Sequence, residues 1–329
     1  MKQPLYLFTN STVKRKDNTL RIETSEKKID RPIETLSEIY LFGEHSLNTK
    51  LLNFLSQNKI PVHIFNYYGF YSGTFFPREV YLSGHVTVQQ AAHYLDPEKR
   101  IIIAHKFIDA AASNILSNLG YYKNRGREIE KQISSIKTIK KQLALAPGPM
   151  ELISLKDNIR DLYYSAFNNI IKQNYDFEKR IYHPPDNFMN AIISFGNSLV
   201  YTTVLSEIYR TQLDPTISFL HEPGYRRYSL ALDLAEIFKP ILADRLIFTM
   251  LNKGELSEKD ADQNLSHCYL KDAGRKKFLR KYDERLRKTI KHKNLNKQVS
   301  YKRLIRLDCY KLVKHIIGEA KYSGFKMWW

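Results

Sequence analysis

The residues of this chain best equipped for chemistry lie in one stretch, HEPGYRRYSLALDLAEIFKP, residues 221–240. His221, Asp233 and Glu236 supply an imidazole and two carboxylates, and Arg226, Arg227 and Lys239 add cations. Asp233 and Glu236 stand three apart, so a helix presents them on one face. Leu230, Leu232, Leu234, Ile237 and Phe238 give that helix an apolar surface to pack with. A carboxylate set among leucines is partly buried, and a buried carboxylate needs a cation. Oxygen ligands with one imidazole suit Mg²⁺ or Mn²⁺. The same spacing also fits a structural histidine beside two solvent-facing acids.

The elements that must position this stretch divide the chain in two. At 329 residues it exceeds the usual single-domain size. From residue 4 to about 77 the runs PLYLF, TLRIE, SEIYLFG and VHIFN are short, β-branched or aromatic, and separated by turn formers. One helix interrupts them at 48–59, and YYGFYSGTFFP (67–77) predicts a hairpin with Gly69 at its tip and Gly73 as a bulge. Helical periodicity takes over from about Val88. The expectation is an α+β protein: a small, mostly β domain over 1–85 and a larger, all-α domain over 86–329. Helices are predicted over 98–118, 127–145, 150–174, 187–210, 272–293 and 299–318. Gly196, inside the fourth of these, predicts close helix packing.

Charge narrows the class of partner. Lys and Arg number 52 against 34 Asp and Glu, a net +18, which calls for an anionic partner, with nucleic acid ahead of a membrane surface. The segment 191–208 is interrupted by polar residues and predicts a buried helix rather than a membrane span. The tract RKKFLRKYDERLRKTIKHK and the following KQVSYKRLIR concentrate the charge, and Arg275, Lys276, Lys277, Arg280, Arg285, Arg287, Lys291, Lys302 and Arg303 are candidate phosphate contacts, together with Arg226, Arg227, Lys239 and Arg245. Phe278, Tyr282 and Tyr301 are expected to anchor the core. Cys268 and Cys309 are too few for a disulfide framework and lack zinc spacing. MKQPLYLFTNST shows no leader pattern, so a cytoplasmic location is expected.

FLHEPGYRRYSLALDLAEIFKPILADRLIF resembles the signature of the CRISPR adaptation integrases, the family often called Cas-one. The likeness continues through YLFTNSTVKRKDNTLRIE, HIFNYYGFYSGTFFPRE, PPDNFMNAIISFGNSLVYTTVLSEIY, LDPTISFLHE and SYKRLIRLDCYKLVKHIIGE, so it is nearly full length. It implies a β domain through which two subunits pair as a homodimer, and a helical domain that holds one Mg²⁺ or Mn²⁺ on a glutamate, a histidine and a second carboxylate. It implies further that captured double-stranded DNA is inserted into a repeat array by attack of a 3′ hydroxyl on a phosphodiester, together with a small second adaptation protein, Cas-two. His221 matches the histidine, Glu236 the second carboxylate, and Asp233 a supporting acid.

At the first glutamate the chain departs from that pattern. Aligning SLKDNIRDLYY on Asn158, Tyr163 and Tyr164 puts Lys156 at the glutamate and Asp157 at a glycine. A protonated lysine is no ligand for a cation, and beside a divalent ion it costs several kcal/mol even at an effective dielectric of about 20. Asp157 is the alternative third ligand, although one residue is about 100° of helical turn. Glu151 lies more than a turn away. The remaining reading is a DNA-binding scaffold of the same fold with a weakened or lost metal site.

Overall fold

The computed structural model describes residues 2–78, 81–173, 175, 177–182, 184–224, 228–264, 267–292 and 295–328. The chain forms two compact units, Met1–Val80 and Tyr81–Trp329. The mixed architecture expected from the sequence, a β-rich unit followed by a helical one, is present.

The first unit holds two four-stranded sheets. One has β5 (Leu36–Phe42) between β1 (Gln3–Leu7) and β7 (Val62–Phe65), all parallel, with β8 (Tyr71–Phe75) antiparallel at the edge. Five consecutive residues of β5, Glu38–Phe42, are buried: the apolar run IYLF, and Glu38, which lies 3.7 Å from the buried His63. The other sheet runs β4 (Lys28–Pro32), β3 (Thr19–Glu23), β2 (Ser11–Lys16), β6 (His45–Leu47). Three of these strands, STVKRK, KIDRP and HSL, carry only one Val, Ile or Leu each and so no alternating apolar pattern. What holds the charged ones is pairing: Arg21 lies opposite Asp30 and bonds it through two nitrogens at 2.7 Å each, and Lys14 reaches Glu23 at 2.8 Å. Helix α1 (Thr49–Gln57) is capped by Asn48, whose side chain accepts the Leu51 N–H at 2.9 Å. Its Leu51, Phe54 and Leu55 join Val13, Leu20, Ile39 and Val62 in one core. The hairpin begins earlier than expected, pairing β7 with β8; Gly69 (φ +83°) sits in its turn, but Gly73 pairs with Ile64, and the register slips at Ser72, between the Ile64–Gly73 and Phe65–Tyr71 pairs, rather than at the expected glycine.

In the second unit, α2 (Gly84–Leu95) precedes the long α3 (Pro97–Lys123), which Asp96 caps by accepting the Glu98 and Lys99 N–H groups at 3.1 Å. Then follow α4 (Glu130–Gln142), α5 (Pro149–Ser165), the short α6 (Phe167–Ile170), α7 (Phe188–Ile208), α8 (Ser229–Lys239), α9 (Arg245–Asn252), α10 (Asp272–Arg287) and α11 (Tyr301–Ile316). By length and composition α7 could cross a membrane, but most of it is buried inside the unit, as the sequence predicted. Gly196 on α7 is the close approach anticipated: a Cβ there would lie 3.2 Å from both Ala243 and Phe278.

Three expectations need correction. The unit is not all-α, because β9 (Ala261–Gln263) pairs with β10 (Cys268–Leu270), and β11 (Thr289–Lys291) with β12 (Gln298–Ser300). The second ribbon ends α10 at Arg287, six residues short of the expected boundary, because Thr289 and Ile290 are better placed on a ladder than on a helix. Similarly, α5 stops at Ser165, and Phe167 and Ile170 turn into the core on the separate α6.

Between α8 and α9 the chain makes a π-helical turn, Pro240–Asp244. Pro240 has no N–H to return to the Glu236 carbonyl, so a turn that widens there is expected. Two asparagines of α3 satisfy the junction: Asn114 donates to the Ile237 carbonyl at 3.0 Å, and Asn118 to the Pro240 carbonyl at 2.7 Å. At about 1 kcal/mol each, these bonds pin the end of α8 that bears Glu236 against α3.

Candidate active site

Asp233 and Glu236 share one helix but do different work. Asp233 is fully buried and accepts four hydrogen bonds: Oδ2 from the Phe219 and Leu220 N–H groups at 2.8 and 2.9 Å, and Oδ1 from the His221 N–H at 3.1 Å and its Nδ1 at 2.6 Å. The carboxylate therefore folds residues 219–221 around itself and holds the imidazole by Nδ1, with Nε2 at the other side of the ring. From the other side, Gln90 donates to the Asp214 and Ile217 carbonyls at 2.9 and 2.7 Å, and Arg100 to the Phe219 carbonyl at 2.9 Å while it pairs with Glu222 at 2.6 Å. No local sequence pattern marks these braces, since Gln90 and Arg100 lie more than 110 residues upstream of the loop they hold.

Glu236 is surrounded by cations. Lys239 Nζ lies 2.6 Å from Oε1 and Arg160 Nη2 lies 3.1 Å from Oε2. Lys156, four residues before Arg160 and so on the same face of α5, lines a narrow pocket with Arg160 and Glu236 against Ile108, Ala111 and Ile115 of α3. Burial alone would raise the Glu236 carboxyl, but Arg160, then Lys239 and Lys156, hold it well below the usual carboxylate range. Burial pushes the Lys239 ammonium down, against the pull of Glu236. Asp244, in the π turn, lies 3.9 Å from Arg160, and burial raises its carboxyl to about 6. Arg160 is the residue that sequence reasoning missed; a charged side chain between the core positions Ile159 and Tyr163 was the available signal.

This donor set does not suit a divalent cation. Among the described residues, no three His, Cys, Asp or Glu side chains come together as metal ligands. Asp157 is 58% exposed and pairs with Lys156 at 3.0 Å. The oxygens of Glu236 that would face a metal instead face an ammonium and a guanidinium.

The candidate phosphate contacts separate by burial. Arg226 and Arg227 lie outside the described residues. Lys239 is held by Glu236, and Arg275 is buried and paired with Asp272 at 2.5 Å. Arg285 donates to the Ile241 carbonyl at 2.6 Å and lies over the Tyr301 ring. Lys277 pairs with Asp260 at 2.7 Å, Arg287 with Asp283 at 2.7 Å, and Lys302 approaches Glu207 at 3.9 Å. Arg245 is half-buried over the Tyr121 ring. Lys276, Arg280, Lys291 and Arg303 face solvent. Phe278, Tyr282 and Tyr301 are buried, as anchors of the core.

Residues 5–284 match the family described as CRISPR associated protein Cas1. The chain is 47% identical to the CRISPR-associated endonuclease Cas1 of Fusobacterium nucleatum subsp. nucleatum, over 100% of this chain and 98% of that protein. It is 48% identical to CRISPR-associated endonuclease Cas1 3 of Thermodesulfovibrio yellowstonii, over 98% of this chain and 99% of that one. The solved structure of a Cas1 protein from Thermotoga maritima superposes with a TM-score of 0.89 at 40% identity, covering 98% of this chain and 100% of that chain.

Proposed function

The chain belongs to the Cas1 family of CRISPR-associated proteins, and on that premise we propose that it serves CRISPR adaptation, holding double-stranded DNA fragments as a homodimer for insertion into the repeat array with the small second adaptation protein as partner. The endonuclease activity in the names of its relatives supports a nuclease and integrase role. The observation that carries the reading to particular residues is the His221–Asp233 pair, an imidazole held by one nitrogen with the other left to hold or pass a proton at a phosphodiester. Lys276, Arg280, Lys291 and Arg303 are the solvent-facing cations proposed to meet the DNA backbone.

A second reading is favoured by the surroundings of Glu236. With Lys156, Arg160 and Lys239 gathered there, the chain acts as a DNA-holding scaffold whose metal-dependent step is weakened or lost. Mg²⁺ or Mn²⁺, the ion the family resemblance implies, would have to displace a hydrogen-bonded ammonium and an ion-paired guanidinium and tolerate a third cation. A DNA-joining assay in Mn²⁺ separates the readings. The scaffold reading expects duplex binding without joining in the natural chain, and joining in Lys156→Glu that His221→Ala abolishes. Joining by the natural chain at the level of Lys156→Glu would overturn it.

A further inference from the structure

A cleft of about 350 Å³ lies where α3 ends, lined by Tyr121, Tyr122, Arg125, Arg127, Lys172 and Lys253, with Phe248 and Asn252 behind them. This size falls within the range of about 300–1,000 Å³ that encloses small ligands. Four of its lining side chains are cations and none is a carboxylate. Among the described residues, none of Arg125, Arg127, Lys172 or Lys253 makes an ion pair. A concave surface of one sign focuses its field on an anion.

The cleft is built, not a chance gathering of surface lysines. Helix α3 closes in a Schellman turn: Arg127 N–H donates to the Tyr122 carbonyl at 3.2 Å and Gly126 N–H to the Lys123 carbonyl at 2.9 Å, with Gly126 at φ +78°. This turn sets Arg125 and Arg127 on either side of a glycine. The Arg125 guanidinium lies 3.6 Å from the centre of the Tyr121 ring, and that of Arg245 lies 4.8 Å from it. Opposite, Asn252 accepts the Lys172 N–H at 2.8 Å and donates to the Ile170 carbonyl at 3.2 Å, which ties the segment bearing Lys172 to the end of α9. The side chains of Asn252 and Thr249 are thus satisfied within the protein, so the cations and tyrosine hydroxyls remain to meet a ligand. Burial pushes the Tyr122 hydroxyl up to about 12, which keeps it a neutral donor. Compensation of a helix dipole accounts for one cation near the end of α3, but not for four drawn from three segments.

We propose that this cleft is a binding site for a phosphorylated nucleoside, its phosphate held by Arg125, Arg127, Lys172 and Lys253 and its sugar and base against the tyrosine wall. Two sources share that chemistry, the phosphorylated end of a single DNA strand and a free nucleotide. Neither His221 nor Glu236 lines this cleft.

The test uses the full chain and the charge-reversed double variant Arg125→Glu/Lys253→Glu, both of whose sites are exposed. Affinities are measured at fixed salt for inorganic phosphate, dAMP, a 5′-phosphorylated single-stranded hexanucleotide and a blunt duplex. The expected result is that dAMP or the single strand binds more tightly than phosphate, and that charge reversal weakens it by at least about tenfold, as the loss of two charge-assisted hydrogen bonds implies. Preference for the single strand assigns a strand end; preference for dAMP assigns a free nucleotide. Affinities unchanged within about twofold in the variant, or no advantage over phosphate, would overturn the proposal. The duplex arm keeps it separate from the proposed DNA-holding function, whose failure would appear there instead.

Discussion

Asp233→Asn is the most informative single change at the loop that carries His221. In the natural chain each oxygen of Asp233 accepts two hydrogen bonds, at distances from 2.6 to 3.1 Å, in a fully buried setting. Asparagine keeps one oxygen and replaces the other with an NH₂ group: at the Oδ2 position it faces two backbone N–H donors, and at the Oδ1 position it faces the His221 N–H even if the imidazole changes tautomer so that Nδ1 accepts, while the bonds that remain go to a neutral amide in place of a carboxylate. At about 1.5–3 kcal/mol for each bond to a charged group, the expected loss is roughly 3–6 kcal/mol, a large share of the ~5–15 kcal/mol that holds a domain together. Thermal unfolding should move down by roughly 6–20 °C. Hydrogen exchange locates the effect: protection of the Phe219, Leu220 and His221 amides should collapse well before that of α7. A variant that unfolds within about 0.5 kcal/mol of the natural chain and keeps those amides protected would refute the claim that Asp233 builds this loop.

Other consequences follow from particular contacts. Burial raises the Asp244 carboxyl from 3.8 to about 6, so the stability it contributes is complete below about pH 4 and is lost as pH rises through 6. Asp244→Asn removes that slope, and urea unfolding should show the variant gaining on the natural chain by roughly 3 kcal/mol between about pH 4 and pH 8. Gly196→Ala forces a methyl to within 3.2 Å of Ala243 and Phe278 and should destabilise by about 1–3 kcal/mol in the same assay. Replacing Arg280, Lys291 or Arg303 by Ala should reduce the salt dependence of duplex binding by up to ~0.9 in log–log slope for each phosphate the removed side chain neutralised. Arg275→Ala should instead lower the melting temperature and leave the slope unchanged, because Arg275 is buried against Asp272.

The broad architecture was legible in the sequence because periodicity reports burial. The apolar run IYLF of β5, the nearly uniform apolar character of α7 and the helical spacing of α11 reflect surfaces that must leave water. Strands β2, β4 and β6 were not legible because each offers only a single Val, Ile or Leu among polar residues, so that Val13 and Leu47 reach the core without making an apolar pattern and pairing with neighbours, including the Arg21–Asp30 contact, supplies the rest. At the site, His221, Asp233 and Glu236 were visible as residue types in one stretch. Their division of labour was not, because the donors to Asp233 are backbone N–H groups of another segment and the partners of Glu236 include Arg160, 76 residues earlier in the chain. The basic tract likewise announced an anionic partner but not which cations are already held by Asp260, Asp272 or Asp283.

The central claim is that Lys156, with Arg160 and Lys239, occupies the corner at Glu236 that a divalent ion would need. Equilibrium Mn²⁺ binding, followed by the loss of the free-ion paramagnetic resonance signal, tests it without reference to any reaction. The account predicts no site dependent on Glu236 in the natural chain, and one new site per chain in Lys156→Glu that disappears on adding Glu236→Ala. One Mn²⁺ bound per natural chain, and lost in Glu236→Ala, would contradict it.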